Sequence, residues 1–504
     1  MLLMSPATVN RLHRQHGPVI TLAAVPPNVL CVVMDTARAD ALEPYGAPPG
    51  STPVLAQLAS AGTAVPSAYA AASWTLPSHA AMFTGLLPRA TGIGLTEASP
   101  ADAHDRMHSL SDRVMPEVMR REGYRTGGVT TNLWVSERTG FSVGFDDFVE
   151  INTGRQGKIR NPSLRARAQW AKEIVRSEVD DGAARAEAVL RDWIDDLDTG
   201  QPFFWFVNLI ECHSPYLPPR PYNDLSVTGR LQAGFEARRH LTLEAIWKAC
   251  ISDFDVPDAA LARMRHLYER SIRYMDDWLG RVLEALERRG VLDDTIVVVT
   301  SDHGENFGEA GLLAHCFSLD DRLIHVPLVV RGPHESIDLD RLTSLVELPG
   351  LIARLAGVEG HPWNGDLPEG IALSQLDPPV IASDPRATDV ARDWELDDDA
   401  FERLTTPFVS ATDGARKLIR RKGRDLLLDL GSDPLELNPR DLLRDPPPDD
   451  DVEAIDRLRR ALDHPAMAAT GLEPATVGAT PERPAATQEE TEDLEERMRL
   501  LGYL

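Results

Sequence analysis

Four short stretches gather side chains that bind cations or move protons. Asp35 ends the apolar run NVLCVVM (28–34), with Thr36, Arg38 and Asp40 behind it. SWTLPSHA (73–80) brings Thr75, Ser78 and His79 close together. ECH (211–213) follows FFWFVNLI, and SDHGE (301–305) follows TIVVVT. A hard or borderline divalent cation takes carboxylate oxygen and imidazole nitrogen. Asp35, Asp302 and His303 supply these. The Thr75 hydroxyl completes the set and would be activated as a nucleophile. Pro77 restricts the backbone of Leu76 and so steadies Thr75. The run Ser78–Gly85 reads as a helix starting just past Thr75, whose N-terminus favours an anionic group.

These side chains need strands and helices to bring them to one place. NVLCVVM, FFWFVNLI (203–210), TIVVVT (295–300) and VPLVV (326–330) are short apolar runs of buried-strand character. Between them lie helical patterns. Over 260–290 the apolar residues Leu261, Met264, Tyr268, Ile272, Met275, Leu279, Val282 and Leu286 keep a spacing of three to four. Segments 105–122 and 184–197 read the same way. Strands alternating with helices predict an α/β fold on a mostly parallel sheet. Ligands of such sheets bind outside the carboxyl ends of the strands. Asp35, His213 and Asp302-His303 would therefore meet at one rim. After residue 376 the pieces 407–411, 416–421 and 425–430 predict a smaller antiparallel unit. PPPDDD (446–451) reads as a linker, 464–490 as a flexible Ala/Thr/Pro/Glu-rich stretch, and 491–504 as a short helix docking back.

The chain has 504 residues, 43% hydrophobic and 26% charged, so it buries a large core. A net charge of −26 excludes a generic nucleic-acid binder, which needs a basic footprint. Only five of the 52 basic residues are Lys; an acidic, Lys-poor surface suits a chain kept soluble at high salt, and GC-rich coding gives the same bias. The four cysteines are widely spaced and form no CxxC pair, which favours a reducing compartment. No apolar run reaches the ~20 residues that span a membrane. Residues 1–27, an N-terminal extension, hold no sustained signal-type apolar region, so a cytoplasmic chain is expected.

The motifs, taken together and in order, resemble the sulfatase family, within the alkaline-phosphatase-like superfamily. The resemblance runs from Asn28 to about Asn438: NVLCVVMDTARAD, TPVLAQLASAGTAVPSAYAAASWTLPSHAAMFTG, GYRTGGVTTN, GFSVGFDDF, ECHSPYLPP, YMDDWLG, TIVVVTSDHGENFGEAGLLAHCFSLDDRLIHVPLVVRGP and LVELPGLIARLAGV. It implies an alkaline-phosphatase-like fold: a catalytic domain over 28–375, an antiparallel C-terminal subdomain over 376–445 and an acidic Pro/Ala-rich tail over 446–504. It implies that Asp35, Thr75, Asp302 and His303 hold a divalent metal, that Thr75 stands at the nucleophile position, that His213 lies near the transferred group and that His315 contacts the substrate.

The departures narrow the expectation. Relatives carry Cys or Ser in C/S-x-P-S-R and convert it to formylglycine. Here the stretch is Thr75-Leu76-Pro77-Ser78-His79, so no formylglycine is expected and His79 replaces the Arg. The usual G-K-W-H-L-G stretch is replaced by TTNLWV (130–135). A Thr nucleophile resembles the phosphodiesterase and phosphoglycerol-transferase branches, which implies Mn or Zn in preference to Ca. The expected activity is cleavage of a sulfate or phosphate ester, small-molecule or glycan, through a covalent Thr75 ester, with no nucleic-acid partner. The alternatives are a phospho-group transferase to a sugar or lipid alcohol and a non-catalytic protein that binds anionic glycans. At single positions the plain alternatives are a helix cap for Thr75, a structural role for His79 and His213, and packing for Cys212 and Cys316.

Overall fold

The computed structural model describes residues 26–95, 100–153, 164–252, 255–333, 339, 341–363, 365, 367–447 and 451–467, with backbone alone at 164–167. Most of the N-terminal extension, part of the 446–451 linker, all but the first residues of the 464–490 stretch and the expected helix at 491–504 lie outside the described residues.

The apolar runs form the centre of a seven-stranded sheet. Its strands are β1 (Asn28–Met34), β2 (Thr63–Ala64), β3 (Arg125–Thr130), β4 (Asp147–Glu150), β5 (Phe203–Leu209), β6 (Thr295–Thr300) and β7 (Leu328–Arg331), in the order β2-β7-β6-β1-β5-β3-β4. Pairs β6-β1, β1-β5, β5-β3 and β3-β4 are parallel. Strand β7 runs antiparallel to β6 and to β2. Both faces are covered, which explains why the central strands read as unbroken apolar runs. Val29, Cys31 and Val33 of β1 join Phe204, Phe206, Ile296 and Val298 in one core. Leu30, Val32 and Met34 join Trp205, Val207, Val297 and Val299 in the other. The second core is closed by the helix Asp258–Arg289, which buries Met264, Tyr268, Ile272, Met275, Leu279, Val282 and Leu286.

The smaller unit is an antiparallel sheet of β8 (Ala372–Leu376), β9 (Phe408–Thr412), β10 (Arg416–Arg421), β11 (Arg424–Asp429) and β12 (Arg440–Asp441), paired in chain order. Lys422 and Gly423 both take positive φ, 46° and 71°, in the two-residue turn between β10 and β11, the backbone that matches the twist of a tight hairpin.

Three elements differ from the sequence reading. The helix expected over 105–122 is two, Pro100–Ser109 and Met115–Arg121, joined by a 3-10 turn at Ser111–Arg113. Pro116 lacks the N–H and suits only a first turn, so a new helix begins there. The run 326–330 is split at Pro327: His325–Val326 pairs with Ala68–Tyr69 in another sheet, while β7 joins the main one. Within the tail, Val452–Leu462 is a helix that buries Ile455, Leu458, Ala461 and Leu462 against Leu418 and Leu427 of the antiparallel sheet. The stretch 221–258 holds two helices, Val227–His240 and Leu243–Ile251. The second rests on the loop before His315, where Leu313 N donates to Cys250 Sγ (3.3 Å) and the Trp247 and Phe317 rings meet edge-on.

Candidate active site

The parallel strands β1, β3, β5 and β6 deliver their carboxyl ends to one rim. Asp35 directly follows β1, and its N–H donates to Leu209 O at the end of β5 (3.0 Å). Asp302 and His303 stand just past β6, Asn132 just past β3, and Asn208 lies within β5. All five are buried. Thr36 holds a left-handed φ of 63°, a conformation that costs a β-branched residue about 1–3 kcal/mol. It is fixed from both sides: its N–H donates to Asp302 Oδ1 (3.1 Å) and its carbonyl accepts from Tyr268 Oη (2.9 Å).

Thr75 is the first residue of the helix Thr75–Thr84, entered from the extended Trp74 and ended by the left-handed Gly85. Pro77 falls in the first turn, where a missing N–H is no loss. Ser78 Oγ donates to Asp302 O (2.7 Å), which ties this helix to the β6 loop. Thr75 Oγ1 then lies 3.4 Å from His303 Nε2 and 3.4 Å from Asn132 Nδ2.

Among the described residues each carboxylate has one oxygen hydrogen-bonded and one without a hydrogen bond, and His303 turns Nε2 to the Thr75 hydroxyl. Asp35 Oδ2 accepts from Asn132 Nδ2 (2.7 Å) and Asn208 Nδ2 (3.2 Å). Asp302 Oδ1 accepts from the N–H of Thr36 and of His303 (2.9 Å). His303 Nδ1 donates to Gly304 O (3.0 Å), so Nε2 keeps its lone pair. Among the described residues Asp35 Oδ1 and Asp302 Oδ2 are buried and accept no hydrogen bond. One ligand atom from each of Asp35, Asp302 and His303 lies within 4.8 Å of the others. Burial pushes the Asp302 carboxyl well above its usual range, and the Asp35 charge adds to the shift. Burial also holds His303 well below its usual value, with His315 adding to it. Two buried carboxylates beside a neutral imidazole repel each other and are poorly solvated. A divalent cation offsets both costs, and this donor set of two oxygens and one nitrogen fits one.

A sulfatase family model matches residues 27–358, well over half the chain. The chain belongs to the sulfatase family. Among its relatives are the choline-sulfatase of Rhizobium meliloti (28% identical over 48% of this chain and 47% of that one) and human N-acetylgalactosamine-6-sulfatase (25%; 56% and 51%). The chain thus spans about half the length of these curated relatives. Among solved structures, the phosphonate monoester hydrolase of Agrobacterium radiobacter superposes with a TM-score of 0.60 at 20% identity, covering 88% of this chain and 96% of that one. That likeness confirms the α/β fold with its appended antiparallel sheet.

In this sulfatase-family chain the other expected site residues line the same rim. His315 Nδ1 lies 2.8 Å from Glu305 Oε1. Burial works against the His315 proton, but the Glu305 charge outweighs it and holds the pKa above the usual value. The rings of His303 and His315 are 4.5 Å apart and those of His315 and His213 5.2 Å. His213 Nδ1 donates to Ser214 O (3.0 Å), and its Nε2 has no hydrogen-bond partner among the described residues. His79 is fully buried, its Nδ1 at 3.0 Å from the Thr75 carbonyl. Cys212 packs, its Sγ on Met275 Sδ (3.2 Å), and burial pushes its thiol well up. The sequence reading passed over Asn132, Asn208 and Glu305. An Asn inside the apolar run FFWFVNLI is the one signal that could have flagged Asn208. Among the described residues no helix is long and apolar enough to cross a membrane.

Proposed function

We propose that this sulfatase-family chain hydrolyses a sulfate or phosphate ester through a covalent ester on Thr75. The observation that carries this reading is the placement of Thr75 Oγ1 at 3.4 Å from His303 Nε2, beside two carboxylates that each keep one oxygen without a hydrogen bond among the described residues. Asp35, Asp302 and His303 would hold one divalent ion, with the Thr75 hydroxyl beside it. Such an ion supplies Lewis-acid polarisation and a lowered hydroxyl pKa.

The Thr75 proton passes to solvent, and Asn132 Nδ2, 3.4 Å from Oγ1, donates to the alkoxide and stabilises its charge. Thr75 Oγ1 attacks sulfur or phosphorus, and the bond to the leaving oxygen breaks. His315, aimed by Glu305, or His213 gives the leaving oxygen its proton. Water then attacks the Thr75 ester and frees the hydroxyl. Trp74, the residue before Thr75, meets Trp134 edge-on at 5.7 Å. The rim takes a small-molecule or glycan ester. An unmodified Thr and a nitrogen ligand favour phosphoesters with Mn or Zn, since Ca prefers all-oxygen shells.

The test is a paired assay of aryl sulfate, aryl phosphate, phosphate diester and phosphonate ester with Mn, Zn or Ca, beside Thr75→Ala. Phosphoester turnover with Mn or Zn, lost in the variant, is expected. Turnover that survives Thr75→Ala refutes the reading.

A further inference from the structure

A second feature lies beneath the proposed ligands. Asn208 is fully buried in β5, and its Nδ2 lies 3.2 Å from Asp35 Oδ2 and 3.1 Å from His79 Nε2. His79 is fully buried one turn into the helix that Thr75 begins. Its Nδ1 lies 3.0 Å from the Thr75 carbonyl and 3.4 Å from Asp302 Oδ2.

Chemistry fixes the direction of each bond. A carbonyl only accepts, so His79 Nδ1 carries the hydrogen. His79 Nε2 then offers a lone pair and accepts from Asn208. The second amide hydrogen of Asn208 points at Asp35 Oδ2. Flipping the Asn208 amide would set its Oδ1 against a carboxylate and an imidazole lone pair, so this orientation alone satisfies both neighbours. With Nδ1 donating and Nε2 accepting, His79 is neutral. Asn132 acts from the other side. Its Oδ1 accepts from Trp134 N (2.9 Å), which fixes its amide, and its Nδ2 donates to the same Asp35 Oδ2. Asp35 Oδ2 is saturated by two amides, and Oδ1 is the oxygen left free.

We infer that His79 and Asn208 are positioning residues: a neutral relay from the Thr75 carbonyl through His79 and Asn208 to Asp35 Oδ2 makes Asp35 present Oδ1 alone to the cation. It also holds the first turn of the Thr75 helix in register with that ligand. The family resemblance expects an arginine at position 79; this chain replaces its charge with a through-bond alignment. The inference rests on the metal-dependent reading above, because a ligand's orientation matters only if it ligates.

Residues that orient a ligating group typically change metal affinity or activity ten- to a hundredfold. Manganese or zinc binding is titrated calorimetrically against metal-free protein for Asn208→Ala, Asn208→Leu, His79→Ala, the double variant His79→Ala/Asn208→Ala, and Asp35→Asn. Each single relay variant is expected to weaken binding by about tenfold or more. The double variant is expected to lose no more than about threefold beyond the weaker single, because one relay is broken once. At saturating metal His79→Ala is expected to lower kcat by about tenfold with KM within about threefold, the mark of a displaced nucleophile. The two Asn208 variants differ in volume, and circular dichroism identifies which of them folds. Unchanged metal affinity in a folded Asn208 variant, or fully additive losses in the double, overturns the relay while leaving the metal reading intact. Unchanged metal affinity in Asp35→Asn overturns the metal reading itself.

Discussion

At the site each carboxylate has one oxygen that accepts hydrogen bonds and one that accepts none among the described residues, and that second pair defines what the residues can do. Asp35→Asn or Asp302→Asn removes a charge but little volume. In metal-free protein either substitution relieves repulsion and is expected to raise the unfolding free energy. Metal at a hundred times Kd is expected to stabilise the parent by about 2.7 kcal/mol and these variants by far less. Thermal unfolding with and without Mn or Zn checks both signs. For His315 the prediction depends on the leaving group. His315→Ala is expected to slow alkyl esters by about a hundredfold and aryl esters, whose leaving oxygens need no proton, much less. Equal losses on both would remove His315 as the acid. Asp35, Thr75, Asp302 and His303 are legible in the sequence because each sits where an apolar run stops or a Pro-containing helix starts. Asn132 and Asn208 are not. Their amides carry no charge and no spacing signature, and they acquire meaning only once β3 and β5 are known to flank β1 on one side.

The loop carrying Asp302 and His303 is shaped by a close approach of two elements. Gly304 N donates to Leu323 O at 2.8 Å, and a Cβ on Gly304 would lie 2.0 Å from the Arg322 carbonyl. That oxygen is backbone and has nowhere to go. Gly304→Ala is therefore expected to destabilise the fold by about 1–3 kcal/mol and to weaken metal binding with it, since the two ligands must shift. Urea unfolding and metal titration measure the two effects. Among the elements, the central strands and the helix Asp258–Arg289 are legible because burial on both faces, or along one stripe, writes itself into the residue pattern. The helix Val452–Leu462 is not, because its Pro- and Asp-rich entry suggests a linker. Ile455, Leu458 and Leu462 make sense only against the antiparallel sheet they cover.

At the scale of the molecule the antiparallel sheet braces the site from behind. Lys417 of β10 is fully buried, with Nζ at 2.6 Å from Asp321 Oδ1, 2.5 Å from Glu436 Oε1 and 2.9 Å from Leu319 O. Burial works against its proton, but Asp321 and Glu436 outweigh it. The next residue, Arg322, donates to Asn306 Oδ1 (2.9 Å) and lies against the Gly304 loop. A continuous set of contacts thus runs from the second sheet to the loop that carries Asp302 and His303. Lys417→Met takes the shared cation from the buried Glu436 and the half-buried Asp321 and is expected to cost about 3–5 kcal/mol; the midpoint of urea unfolding reports it. This coupling is invisible in the sequence, where RKLIRR reads only as a strand.

In the proposed reaction Thr75 itself carries the transferred group. The most direct measurement is mass spectrometry of the peptide spanning residues 73–89 after rapid acid quench of metal-loaded protein turning over an aryl phosphate or aryl sulfate. A phosphorylated or sulfated Thr75 is expected, forming within one turnover, decaying as substrate runs out and absent from Thr75→Ala. Sustained turnover with that peptide unmodified, or the label on any other residue, would contradict it.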